Sequence, residues 1–124
     1  MTILVDTNIL IELFRHRESA IFTQWRDHLL AGDAVLYSAI TGAEIRHGLR
    51  PSEVAAVEQI LSHMSCLPVT CEIAAQAGRY LNTYHHSHGL DLADTAIAAT
   101  AAMHGLWLWT LNRKHYPMPE LQLL

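Results

Sequence analysis

The sequence has little cysteine. Cys66 and Cys71 are its only two in 124 residues. A pair five positions apart is no disulfide framework, and both read as free thiols that act as small buried apolar residues. No apolar run approaches the ~18 residues of a membrane span. The N-terminus lacks the basic start and long apolar stretch of a secretory signal. These absences point to a cytoplasmic protein with no membrane partner. Internal repeats, low-complexity tracts and shifts of composition are also missing, so one domain over residues 1–124 is expected. Basic residues are scarce: 8 Lys and Arg stand against 12 Asp and Glu, a net charge of −4. That argues against a broad nucleic-acid-binding surface. It does not exclude a metal-dependent nuclease. Setting aside four of the 12 acids as a metal site leaves eight, matched by the eight bases, and bound cations would supply local positive charge.

What is present suffices for a packed core. The chain is 51% apolar and 16% charged, within the range of folded soluble domains. Short β-rich runs occur at 2–5 (TILV), 34–37 (AVLY) and 66–69 (CLPV), the last limited by Pro68. LWLWT at 106–110 is the clearest later strand, and LQLL closes the chain. Helical spacing fills the intervals. Ile21, Trp25, Leu29 and Leu30 form one stripe in 18–31, and Val54, Val57, Ile60, Leu61 and Met64 another in 52–64. Residues 72–87 are helical in composition. The alanine-rich 91–105 stops at Gly105. Pro51 suits the first turn of a helix. Strands alternating with helices predict an α/β fold, with a central, mainly parallel sheet covered on both faces.

Carboxylates fall where such a sheet binds ligands, beyond the carboxyl ends of its strands. Asp6 follows the first apolar run, with Thr7 and Asn8 beside it. The second strand leads to Ser38, a helix cap, and to Glu44 about two turns on. Asp91 and Asp94 open the alanine-rich helix. Thr110 ends the last long strand, with Asn112 two residues further. Acids gathered at one edge repel unless a cation lies between them, so at least one should titrate above its usual range. Hard oxygen ligands on an open site suit Mg²⁺ or Mn²⁺. Simpler roles also fit. Asp91 and Asp94 have the spacing of a capping pair, as do Thr41 and Glu44, and Asp6 can simply end a strand.

ILVDTNILIELF, SAITGAEIRHGL and GLDLADTAIAATAAMHGLWLWTLNRKHYP resemble, in order and nearly end to end, the motifs of the PIN-domain ribonucleases, above all the VapC toxins of bacterial toxin–antitoxin pairs. The resemblance implies a three-layer α/β/α fold. It also implies Mg²⁺-dependent (or Mn²⁺-dependent) cleavage of RNA phosphodiesters by metal-activated water, control by a VapB-type antitoxin, and a homodimer. Carried over position by position, it makes Asp6, Glu44 and Asp94 the catalytic metal ligands. Thr7, Asn8, Asp91, Thr110 and Asn112 would support them. Many relatives have an aspartate at the fourth acidic position, where this chain has Asn112. An amide holds a water or a ligand oxygen but brings no charge. The departure keeps open an alternative: a PIN-like RNA- or protein-binding module with weak or no catalysis.

Other signals carry less. HHSH at 85–88 is the densest group of the nine histidines, but no second cluster completes a zinc site, and an exposed helix end is expected. Glu44 and His47 match half of a di-iron motif that needs two copies. A phosphatase with a strand-end nucleophile would want a second aspartate at Asn8. Arg46, Arg113 and Lys114, with Arg50 and His115, are candidate contacts to RNA phosphates. Trp25, Trp107 and Trp109 have the choice of stacking on bases or packing inside, and packing is expected.

Overall fold

A computed structural model describes residues 1–124. Its centre is strand β1 (Thr2–Val5), flanked by β2 (Ala34–Ser38) and β4 (Trp107–Trp109). Strand β3 (Ser65–Leu67) lies outside β2, and β5 (Gln122–Leu123) outside β4, giving the order β3-β2-β1-β4-β5 with every pairing parallel. Helices α1 (Thr7–Arg15), α2 (Ala20–Leu30), α3 (Ala39–His47), α4 (Val54–Leu61), α5 (Cys71–His88) and α6 (Leu92–His104) connect them. Single 3₁₀ turns occupy Pro51–Glu53 and Arg113–His115. No helix is long and apolar enough to cross a membrane.

Alternation along the strands builds two cores. Ile3 and Val5 face one side with Ile9, Leu10 and Leu13 of α1, Trp25 of α2, and Val57, Ile60 and Leu61 of α4. Leu4 and Leu108 face the other, against Ile73, Ala77 and Tyr80 of α5 and the alanines of α6. Helix α6 is buried without a break from Thr95 to Ala101. Its small side chains let it sit close to both the sheet and α5. Gly89 and Gly105 end α5 and α6 in the left-handed conformation, at φ of 64° each, which costs glycine little.

Several expectations are corrected. Helix α1, nine residues beginning immediately after Asp6, was not expected from the sequence. Strand β3 stops at Leu67, before Pro68, and β5 has only two residues. Both cysteines are exposed rather than buried, Cys66 because β3 is an edge strand and Cys71 because it opens α5. Leu30 is 80% exposed at the end of α2, where the apolar stripe has rotated off the core, and Val54 is 44% exposed at the start of α4. One expectation holds: Trp25 and Trp109 are buried and pack inside.

Candidate functional site

β1 sits where the chain reverses its direction of travel across the sheet, with β2 on one side and β4 on the other. Crevices at such switch points are the usual ligand sites of open α/β sheets. A cavity of about 280 Å³ opens there, lined by Asp6, Thr7, Asn8, Ile11, Glu44, Asp94, Asn112 and His115. Four chain segments, distant in sequence, meet in it.

Asp6 is the fixed point. It is 5% exposed. Its main chain is tied to the neighbouring strand by its N–H, which donates to the carbonyl of Trp109 at 2.9 Å. Its side chain caps α1, Oδ1 accepting the N–H of Thr7 at 2.8 Å. Oδ2 accepts two hydroxyls, from Thr110 at 2.8 Å and Tyr116 at 2.9 Å. Thr110 in turn accepts the N–H of Asn112 at 3.0 Å, and Asn8 Oδ1 accepts that of Leu111 at 3.3 Å. The end of β4 is thereby fastened to the start of α1, and Asn112 is presented at the cavity.

Glu44 stands on the exposed side of α3. The helix starts at Ser38, whose hydroxyl accepts the N–H of Ile40, so Thr41 and Glu44 are not its capping pair. Thr7 Oγ1 donates to Glu44 Oε1 at 2.7 Å and lies 3.0 Å from Thr41 Oγ1. A hydroxyl has one proton. Since that of Thr7 goes to the carboxylate, Thr41, which is fully buried, donates to Thr7. The relay holds Glu44 in place.

Asp91 and Asp94 do form a capping box at the head of α6. Asp91 Oδ1 accepts the N–H of Asp94 at 2.9 Å, and Asp94 Oδ2 accepts that of Asp91 at 3.3 Å. The capping role does not exhaust Asp94, which also lines the cavity, whereas Asp91 does not. Burial pushes the Asp94 carboxyl up to about 6, helped by the charges of Asp91 and Asp6 and opposed by the N–H of Asp91. Repulsion between gathered carboxylates predicts a raised acid; burial is the larger cause, and the neighbouring charges add to it.

The basic residues divide. Arg46 points away: its guanidinium reaches Glu58 at 3.3 Å and the carbonyl of Gly42 at 3.2 Å, and it does not line the cavity. Arg113 and Lys114 are exposed on the 3₁₀ turn that follows Asn112. His115, on the same turn, faces the cavity. Tyr116 and Thr41 went unrecognised in the sequence as parts of the site. Tyr116 meets Asp6 across 110 positions, and no local pattern marks that contact. Its phenol is raised above its usual range, first by burial and then by the Asp6 charge, so it remains a donor.

The donor set suits a hard divalent cation: three carboxylates, two amides and the hydroxyl of Thr7 on an open, polar pocket. No three acidic, histidine or cysteine side chains stand close enough to hold one ion directly. An ion here would keep several of its waters, as Mg²⁺ prefers to do.

The PIN-domain profile matches residues 3–121. The chain is 36% identical over 121 residues to ribonuclease VapC19 of Mycobacterium tuberculosis, covering 96% of each. Its fold is similar to VapBC2 from Rickettsia felis, solved bound to a DNA fragment from its promoter, with a TM-score of 0.84 at 21% identity over 100% of this chain and 98% of the other. FitAcB from Neisseria gonorrhoeae aligns with a TM-score of 0.75 at 29% identity, over 98% of this chain and 96% of the other.

Proposed function

We infer that this chain, which belongs to the PIN-domain family and is of the VapC type, is an endoribonuclease toxin that hydrolyses RNA phosphodiesters with the help of Mg²⁺ or Mn²⁺. One observation carries the reading: Asp6, Glu44, Asp94 and Asn112 line a single cavity at the switch point of a parallel sheet. Asp6, Glu44 and Asp94 would hold the cation, in part through the waters it keeps, since the three do not stand close enough to bind one ion directly. When bound, it supplies positive charge for the phosphate and lowers the pKa of an attacking water. The chain's own residues do the rest. The hydroxyls of Thr110 and Tyr116 orient Asp6, the Thr41–Thr7 relay orients Glu44, and the capping box orients Asp94. Asn112 offers an uncharged oxygen or N–H to water or phosphate. Arg113 and Lys114, beside the cavity, would contact flanking phosphates. Arg46, held by Glu58, is less suited to that role.

The relatives' names extend the reading to partners. VapBC is a family of toxin–antitoxin systems, and a VapB-type antitoxin is the partner proposed for this chain, together with a second copy of itself as a homodimer. The test is cleavage of total cellular RNA by the pure protein with Mg²⁺, against Asp6→Ala and an EDTA control. Cleavage that needs the metal and Asp6 supports the reading. RNA binding without cleavage would favour instead a PIN-like binding module, a reading kept in view by Asn112 and by the spread of the carboxylates.

A further inference from the structure

We propose that Tyr116 is a positioning residue that, with Thr110, fills both acceptor sites of Asp6 Oδ2 and leaves Oδ1 as the only oxygen of that carboxylate open to a cation. The inference rests on the proposed function and concerns how the site selects its metal.

A carboxylate has about four lone-pair directions, two on each oxygen. Three are taken. Oδ2 accepts the Thr110 and Tyr116 hydroxyls at 2.8 and 2.9 Å, and Oδ1 accepts the Thr7 N–H at 2.8 Å. The fourth, on Oδ1, remains, and Asp6 lines the cavity. All three donors are rigidly mounted. The Thr7 N–H belongs to α1, Thr110 directly follows β4, and Tyr116 is 3% exposed in the core beside α5 and α6. The carboxylate cannot rotate to offer both oxygens without breaking two hydrogen bonds at Oδ2.

One-oxygen ligation matters for selectivity. Mg²⁺ demands near-octahedral geometry at short distance and takes carboxylates through single oxygens, whereas Ca²⁺ accepts two-oxygen ligation in flexible shells. A saturated Oδ2 withholds that mode from Ca²⁺. The Tyr116 hydroxyl thus acts against the wrong ion as well as holding the right ligand.

Tyr116→Phe removes the hydroxyl and keeps the ring, so the core should stay filled. The measurements are calorimetric titration of Mg²⁺, Mn²⁺ and Ca²⁺ into wild type and variant without RNA, and steady-state cleavage. Losing a group that orients a metal ligand commonly costs about 10–100-fold in affinity or activity. The expected results are a ratio of Ca²⁺ to Mg²⁺ affinity that rises about 10-fold, and a kcat lowered by about 10-fold with KM for RNA within about twofold. A merely structural tyrosine would lower the melting temperature and leave the ratio alone. Thr110→Val opens the same oxygen from the other side and should move the ratio in the same direction, which keeps the test decisive should Tyr116→Phe fold poorly. An unchanged ratio in both variants, with wild type binding metal and cleaving RNA, overturns the inference alone. Wild type that neither binds metal nor cleaves overturns the proposed function and the inference with it.

Discussion

Asp94 is half-buried among like charges, and its carboxyl sits at about 6 against an ordinary value of 3.8. A raised acid favours the protonated folded state. Its contribution to stability is full below about 3.8 and is lost as pH rises through about 6. Asp94→Asn, neutral at every pH and able to keep the capping box, should therefore melt higher than wild type at pH 7 in EDTA. The difference should close towards pH 4. Millimolar Mg²⁺ should reverse the order, because the cation removes the repulsion only where the charge remains. The same variant should lose RNA cleavage. A variant less stable than wild type at pH 7 in EDTA would show that Asp94 is not strained. Asn112 is the complementary case. Asn112→Asp adds a charge to the cavity and should tighten Mn²⁺ binding without RNA, by a margin that shrinks with ionic strength; equal titration curves for the two proteins would remove Asn112 from the site. Both positions were legible in the sequence because each falls in a stretch that resembles a family motif, Asp94 in the first turn of α6 and Asn112 just past β4. Tyr116 was not, since what makes it part of the site is the fold that returns the chain to Asp6.

Elements deliver these groups, and the quality of their packing sets how firmly. Helix α6 carries Asp94 and is buried from Thr95 to Ala101, with Ala98 and Ala99 at 0% exposure between sheet and α5. Ala98→Leu would force extra volume into a close-packed contact and should cost about 1–3 kcal/mol. Denaturant unfolding measures that loss. Cleavage per folded molecule should fall as well, since α6 cannot shift without moving Asp94 relative to Asp6; full activity in a destabilised variant would show that α6 tolerates displacement at its head. The alanine run marked this helix in the sequence, as the LWLWT run marked β4. Helix α1 escaped because it starts on Asp6, which ends a strand and caps a helix at once. Only Asp6, Thr7 and Asn8 separate the β-rich residues before it from the apolar residues after it, with no punctuating glycine or proline. The exposed edge strand β3 misled in the same way: Cys66 is an apolar-leaning residue in a strand, but a strand with solvent on one side.

For the whole molecule the decisive quantity is charge. A protein of net charge −4 has no field to attract RNA, and the cations available beside the cavity are few. Arg113 and Lys114 are exposed there, while Arg46 and Arg15 are engaged by Glu58 and Glu53. Alternation of strands and helices revealed the parallel sheet in the sequence; the switch point in its order, which gathers acids and these two cations at one place, did not show until the strands were ordered. Binding to single-stranded RNA releases counterions in proportion to phosphates contacted, with a slope in log K against log salt of about −0.7 per contact. Two contacts predict a slope near −1.4 at constant Mg²⁺. Arg113→Ala and Lys114→Ala should each reduce the steepness by about 0.7 and weaken RNA of any sequence alike. With EDTA in place of metal, three uncompensated carboxylates face the phosphate and binding should fall below detection. Fluorescence anisotropy of a labelled oligonucleotide over a salt series reads all of this. A slope steeper than about −3 in the wild type would mean that more than four phosphates are contacted, and that RNA lies across a basic surface other than the turn after Asn112.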